Sequence, residues 1–117
     1  MPTAQLPMAP TELVPCCTPA GEVISAEDAE QLARRFKALA DPTRVRLLSL
    51  IATEQDSEAC ICYLTDPVGL SQPTVSHHMK LLVDAGLVTR EQRGKWAYYR
   101  LANDALAALA AAITPAA

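Results

Sequence analysis

Apolar residues recur at helical spacing over most of this chain, and the breaks in that rhythm mark its joints. Ser25 is a capping residue. After it Ala29, Leu32, Ala33, Phe36, Leu39 and Ala40 share one stripe, with Glu27, Asp28 and Glu30 early, where the helix dipole favours acids. This predicts a helix through about Ala40. Asp41-Pro42 then supplies an N-cap and a proline at the first helical position. Val45, Leu47, Leu48, Leu50 and Ile51 load the helix that follows so heavily that it belongs at the centre of the core. Ser71 caps a further helix, with Pro73 in its first turn, Val75, Met79, Leu82 and Val83 on its apolar stripe, and Ala85-Gly86 at its end. Leu81 falls on the polar side of this count and has no account in the pattern.

Between Leu87 and Leu101 the period changes to two. Leu87 to Gln92 and Trp96 to Leu101 alternate around Arg93-Gly94, which predicts a hairpin. Trp96, Tyr98 and Arg100 fall on one of its faces, and Ala97, Tyr99 and Leu101 on the other. A final helix starts near Asn103-Asp104 and runs to a stop at Pro115, apolar nearly all round. On a small domain such a helix is expected to bury itself against another subunit.

Residues 1–24 hold Pro2, Pro7, Pro10, Pro15 and Pro19 with no sustained period. They read as a flexible N-terminal arm ahead of one domain over residues 25–117. No stretch approaches the ~18–20 uninterrupted apolar residues of a membrane helix, and the start lacks the basic and apolar regions of a secretory signal. The expectation is a cytoplasmic protein with no membrane partner, whose four cysteines are thiols or metal ligands rather than structural bridges.

Net charge is −3, which speaks against an indiscriminate nucleic-acid binder. Its distribution is more informative. Residues 1–30 have five acids and no Lys or Arg, whereas residues 69–117 set Lys80, Arg90, Arg93, Lys95 and Arg100 against Asp84, Glu91 and Asp104. The positive charge therefore falls on the Ser71 helix and the hairpin. That helix offers Gln72, Thr74, Ser76, His77 and Lys80 on its outer side, with no carboxylate before Asp84. Amides and hydroxyls bond base edges and phosphates, and lysine pairs with phosphate. A short helical segment and a turn at Asp66-Pro67-Val68-Gly69 precede it, giving a helix-turn-helix order. Arg90, Arg93 and Lys95 near the hairpin tip are candidates for phosphate or minor-groove contact. Arg44 is open to two readings, a phosphate contact or a structural ion pair.

Cys60 and Cys62 lie within Asp56–Thr65, where Ser57 is read as the cap of a short helix and Cys60 as a first-turn residue. There the dipole lowers a thiol pKa. On a regular helix, residues two apart point about 200° from each other. The two sulfurs are then expected to converge on one small ion only if the helix start unwinds. Two buried small hydrophobes are the alternative. Cys16 and Cys17, adjacent in the arm, are poorly placed to bridge each other but suited to present thiolates to a soft ion.

The run Leu70 to Leu87, followed by Gly94-Lys95-Trp96-Ala97-Tyr98-Tyr99-Arg100-Leu101, resembles the ArsR/SmtB family of metal-responsive winged-helix repressors. Lys37 to Arg44 resembles the segment with which that family enters its second helix, and the likeness extends over roughly residues 25–114. It implies a mainly α fold with a small β-hairpin, a winged helix-turn-helix, whose terminal helices form a homodimer. It implies operator DNA, a near-palindromic duplex, as partner, and release by an inducer. In that pattern Ser71, His77 and His78 join the DNA-facing or capping residues.

The segment at Cys60 resembles the metal box of arsenic-, cadmium- and lead-responsive members. A third cysteine of the arsenic type is replaced here by Thr65, so the resemblance implies that Cys16, Cys17 or both complete the site, from the same or the partner subunit. Three thiolates suit As(III) or Sb(III); four suit Cd(II), Pb(II) or Zn(II) better. The adjacent cysteines resemble the arms of arsenic-responsive relatives, so arsenite is the expected inducer, with no organic cofactor. No His or Cys follows His78, against a second metal site on the last helix. A redox or reactive-sulfur sensor on the same scaffold is the alternative. An enzyme is not expected, since C-x-x-C, a phosphate-cradling glycine loop and βαβ alternation are all missing.

Overall fold

A computed structural model describes residues 23–115. In chain order the elements are α1 (Ala26–Leu39), α2 (Pro42–Ala52), a 3-10 turn (Gln55–Ser57), β1 (Glu58–Cys60), α3 (Ile61–Val68), α4 (Gln72–Asp84), β2 (Val88–Arg93), β3 (Trp96–Leu101) and α5 (Asn103–Ala112). Local chemistry sets the helix starts. Ser25 accepts from the Asp28 amide at 3.1 Å, and Asp41 Oδ2 accepts from the Thr43 and Arg44 amides at 2.9 and 3.2 Å. Ser71 does the same for Thr74 at 3.4 Å. These caps satisfy N–H groups that the first turn leaves without partners. Gly69, at φ 68°, ends α3 in the left-handed region that disfavours side chains, so the α3–α4 turn is tight. The helical reading of the turn is corrected slightly: Asp66-Pro67 closes α3 instead of following it.

The core gathers where α2, α3 and α4 meet the sheet. Leu47, Ile51, Leu64, Val75, Met79, Leu82 and Leu87 are fully buried there. Val45 is not; it is 52% exposed despite its place in the apolar run of α2. Ala29, Ala33 and Ala40, read onto the buried stripe of α1, are exposed as well, and Leu32 with Arg35 forms the buried side. Leu81 finds its account here: it lines a cleft of about 500 Å³ against α1, beside Gln31 and Arg35.

The sheet has three antiparallel strands in the order β1-β3-β2. The hairpin keeps the faces its alternation predicts, with Ala97, Tyr99 and Leu101 buried. The third strand departs from the sequence reading. Ser57 does not cap a helix; Asp56 and Ser57 both take positive φ, 59° and 51°, and lead into β1. Glu58, Ala59 and Cys60 pair with Arg100, Tyr99 and Tyr98.

Candidate nucleic-acid interface and thiol site

Helix α4 and the hairpin enclose a groove of about 460 Å³. Gln72, Ser76 and Lys80, one turn apart along α4, line one wall; Arg90, Gln92 and Lys95 line the other. Spacing explains both walls. Positions four apart share a helix face, and Arg90 and Gln92 share the strand face that Ala97 and Tyr99 occupy deeper in. Arg90 donates to Gln92 Oε1 at 2.6 Å and Gln92 to the Gly94 carbonyl at 3.0 Å, which holds the wall near the turn. Lys80 pairs with Asp84 at 2.8 Å, an exposed i,i+4 bridge that water and salt weaken. The groove thus combines amides, a hydroxyl and three cations, a surface able to bond base edges and phosphates.

Of the other residues assigned to DNA from sequence, Thr74 and His77 are exposed on α4, and the Ser71 hydroxyl donates to Thr74 Oγ1 at 3.0 Å. Arg44 and His78 lie elsewhere. Arg44 Nε donates to the Ala38 carbonyl and its Nη1 to His78 Nδ1 at 3.1 Å, a network that ties the α1–α2 corner to α4. Arg93 is also occupied. Its guanidinium donates to both Glu58 oxygens at 3.0 and 2.6 Å and to Glu91 at 2.7 Å, and lies 4.4 Å from the centre of the Tyr98 ring. Arg100 reaches the same Glu58 at 3.3 Å. Hydrogen bonds and charge from Arg93, then Arg100, hold the Glu58 carboxyl below the ordinary carboxylate range. Glu58 is the acid two residues ahead of the C-x-C pair, a pattern visible in sequence, whereas Gln92 belongs to no motif. Strand alternation places Gln92 on the face of Arg90 and is the one local signal for it.

Cys60 and Cys62 come together because Cys60 stands before the helix and not in its first turn. Cys60 is the last residue of β1 and the N-cap of α3, with extended backbone at φ −73° and ψ 146°. Its side chain therefore folds back over the first helical turn, and Sγ accepts from the Cys62 amide at 3.2 Å. The two cysteines are joined in a disulfide with Cα atoms 5.1 Å apart. Cys60 is buried and Cys62 exposed, so the pair opens to solvent on one side. The pair stands at the N-terminal end of α3, the positive end of the helix dipole. Two such sulfurs fit one edge of a soft-ion site. Among the described residues no group of three or more His, Cys, Asp or Glu is placed to hold a metal ion, and Thr65 bonds the Cys62 carbonyl at 3.5 Å. Cys16 and Cys17 lie outside the described residues.

The sequence signature described as "Bacterial regulatory protein, arsR family" matches residues 41–90, from the α2 cap into the hairpin. The transcriptional repressor SmtB homolog of Synechocystis is 38% identical over 104 residues, 89% of this chain and 75% of that protein. This chain belongs to the ArsR/SmtB family of transcriptional repressors. The arsenic resistance transcriptional regulator ArsR1 of Pseudomonas putida is 48% identical over 66 residues, 56% of this chain and 50% of that one. Among solved structures, the homodimeric winged helix-turn-helix DNA-binding domain of a possible ArsR-family regulator from Mycobacterium bovis matches with a TM-score of 0.62. It is 31% identical, and the match covers 74% of this chain and 82% of that one. In this ArsR/SmtB repressor, α3 and α4 are the helix-turn-helix and β2–β3 is the wing. It is a DNA-binding regulator, not an enzyme.

Proposed function

We propose that this repressor senses arsenite. As a cytoplasmic homodimer it holds a near-palindromic operator in the groove between α4 and the wing. Gln72 and Ser76 address base edges, and Lys80, Arg90 and Lys95 neutralise phosphates. The single observation that carries the reading is the convergence of Cys60 and Cys62 where β1 becomes α3, the helix that supports α4. Arsenous acid loses three hydroxyls as water when three thiols give up their protons, so one sulfur beyond this pair is required. Cys16 or Cys17 supplies it, in a domain arrangement of arm plus core. Antimonite fits the same three-thiolate geometry; Cd(II), Pb(II) and Zn(II) would draw on all four sulfurs. Ligand that favours the DNA-incompetent form by a few kcal/mol is enough to release the operator.

The disulfide between Cys60 and Cys62 favours a second reading, a thiol-redox sensor. There a peroxide takes two electrons from the two thiols, forming one S–S bond and releasing water.

Fluorescence anisotropy on DNA from the protein's own promoter separates these. Release of reduced protein by arsenite, lost in Cys60→Ser and in Cys16→Ser/Cys17→Ser, is the expected result. Stronger release by Cd(II) or Pb(II) would replace arsenite with a four-thiolate ion, and release by peroxide alone would select the redox reading. Failure to bind DNA in every state would sink all of them.

A further inference from the structure

Cys60, Tyr98, Arg93 and Glu58 form one continuous patch across the outer face of the sheet. Cys60 faces Tyr98 in the β1–β3 ladder, and Glu91 faces Tyr98 from the other side. The Arg93 guanidinium lies over the Tyr98 ring and reaches past it to grip Glu58 with two nitrogens. Glu58 stands two residues before Cys60 on the same three-residue strand. The pair is the strong kind, since an arginine fork matches a carboxylate with two parallel bonds. The Glu58 side chain is only 18% exposed, so the contact is shielded compared with the Lys80–Asp84 bridge. Strand alternation puts Arg93 on this outer face, whereas Arg90 and Lys95 line the groove.

We propose that Glu58 is the positioning residue that couples the thiol site to the wing, through a Glu58–Arg93 latch that is closed here, with Cys60 and Cys62 bonded only to each other, and opens when a third sulfur is drawn in. This rests on the sensor reading above. A ligand drawing Cys60 and Cys62 toward a third sulfur must move the end of β1. A strand of three residues has no slack in which to absorb that movement, so Glu58 moves with it and Arg93 is released. The wing then loses its fixed angle to α4, and the groove no longer holds its two walls in register with DNA. Coupling is a difference between two states, so a contact present in one of them sets its size.

The test uses the full reduced chain, operator DNA and arsenite. In Glu58→Gln, ligand-free operator affinity should fall about tenfold, and affinity with arsenite should stay near wild type. The ratio between the two states therefore shrinks by the same factor, while thiol titration still shows arsenite taking up the same number of sulfurs. Arg93→Gln should do the same, and the double variant should be no worse than either. Trp96, the one tryptophan, faces Arg93 in the hairpin ladder, so its emission should shift with arsenite in wild type and not in Glu58→Gln. A wild-type ratio in Glu58→Gln, or losses that add in the double variant, would overturn the latch. If wild type itself ignores arsenite, the sensor reading fails, and additivity in the ligand-free double variant still decides whether the latch sets the wing.

Discussion

His78 Nδ1 lies 3.1 Å from Arg44 Nη1, across a gap of 34 residues in sequence. A guanidinium only donates, so in this contact the imidazole nitrogen is the acceptor. Asp41 Oδ2, 4.0 Å from the same nitrogen, is beyond hydrogen-bonding range but adds to the polar corner. The recognition helix α4 is thus tied to the α1–α2 corner by one charge-assisted bond. Arg44→Ala and His78→Ala should each destabilise the fold, and their combination should cost less than the sum by about 1.5 kcal/mol. Urea melts of the four proteins measure this; strict additivity would mean that the contact carries no energy.

The groove makes a sharper distinction among cations. Lys80, Arg90 and Lys95 line it, whereas Arg44 and Arg93 are occupied by partners within the chain. Each phosphate contact removed lowers the slope of log affinity against log salt by about 0.9. Lys95→Ala and Arg90→Ala should each show that change, and Arg44→Lys should leave the slope intact. Gln72→Ala should instead relax discrimination between operator variants, by roughly 1–3 kcal/mol at one base pair. Titration of operator binding against potassium chloride checks the three cation variants and a panel of operator variants checks Gln72→Ala; a full-unit slope change in Arg44→Lys would return that side chain to the phosphates.

What the sequence disclosed follows the range of the forces involved. Ser25, Asp41 and Ser71 act on amides two or three residues away, so helix starts are written locally. The DNA-facing side of α4 follows from its stripe. By contrast β1 has three residues, too few for a period, and exists because it pairs with β3 some forty residues later. A serine ahead of an apolar run is ordinary capping chemistry, but pairing of β1 with β3 overrides it at Ser57 and brings Cys60 and Cys62 together. The pairing of Arg93 with Glu58 is hidden in the same way, because the two lie 35 residues apart, while Glu91 is only two residues away. Val45, Ala29 and Ala33 show the opposite failure: apolar positions at core spacing that one chain alone leaves exposed.

Acid should act on two of these contacts. The amides of Arg44 and Thr43, with the Arg44 charge, hold Asp41 below its ordinary pKa, and Arg93 does the same for Glu58. A carboxylate depressed in the folded state stabilises it fully above the unfolded value of about 4 and loses that contribution as pH falls through the lower folded value. The melting temperature should therefore hold from neutral pH to about 5 and drop below about 4. Asp41→Asn/Glu58→Gln should melt lower at pH 7 and show a shallower acid drop. Melting curves across that pH range test it, and an acid drop as steep as wild type would assign the sensitivity to other carboxylates.

The outward side of α5 bears on assembly. Ala105, Leu109 and Ala112 face the core, while Ala107, Ala110, Ala111 and Ile113 are exposed, Ile113 by 60%. An uncharged surface of small side chains lets a second helix approach closely, and a homodimer presents the same surface twice. Burying one isoleucine side chain is worth about 1.5–3 kcal/mol, so Ile113→Asp should weaken the dimer at least tenfold. Leu109→Ala, one turn back and inward, should instead lower fold stability by about 2–5 kcal/mol and leave dissociation close to wild type in the folded population. Sedimentation velocity over a dilution series separates the two effects. An unchanged dimer in Ile113→Asp would move the interface to the exposed alanines of α1, Ala29 and Ala33, which make the next apolar surface without cover in the single chain.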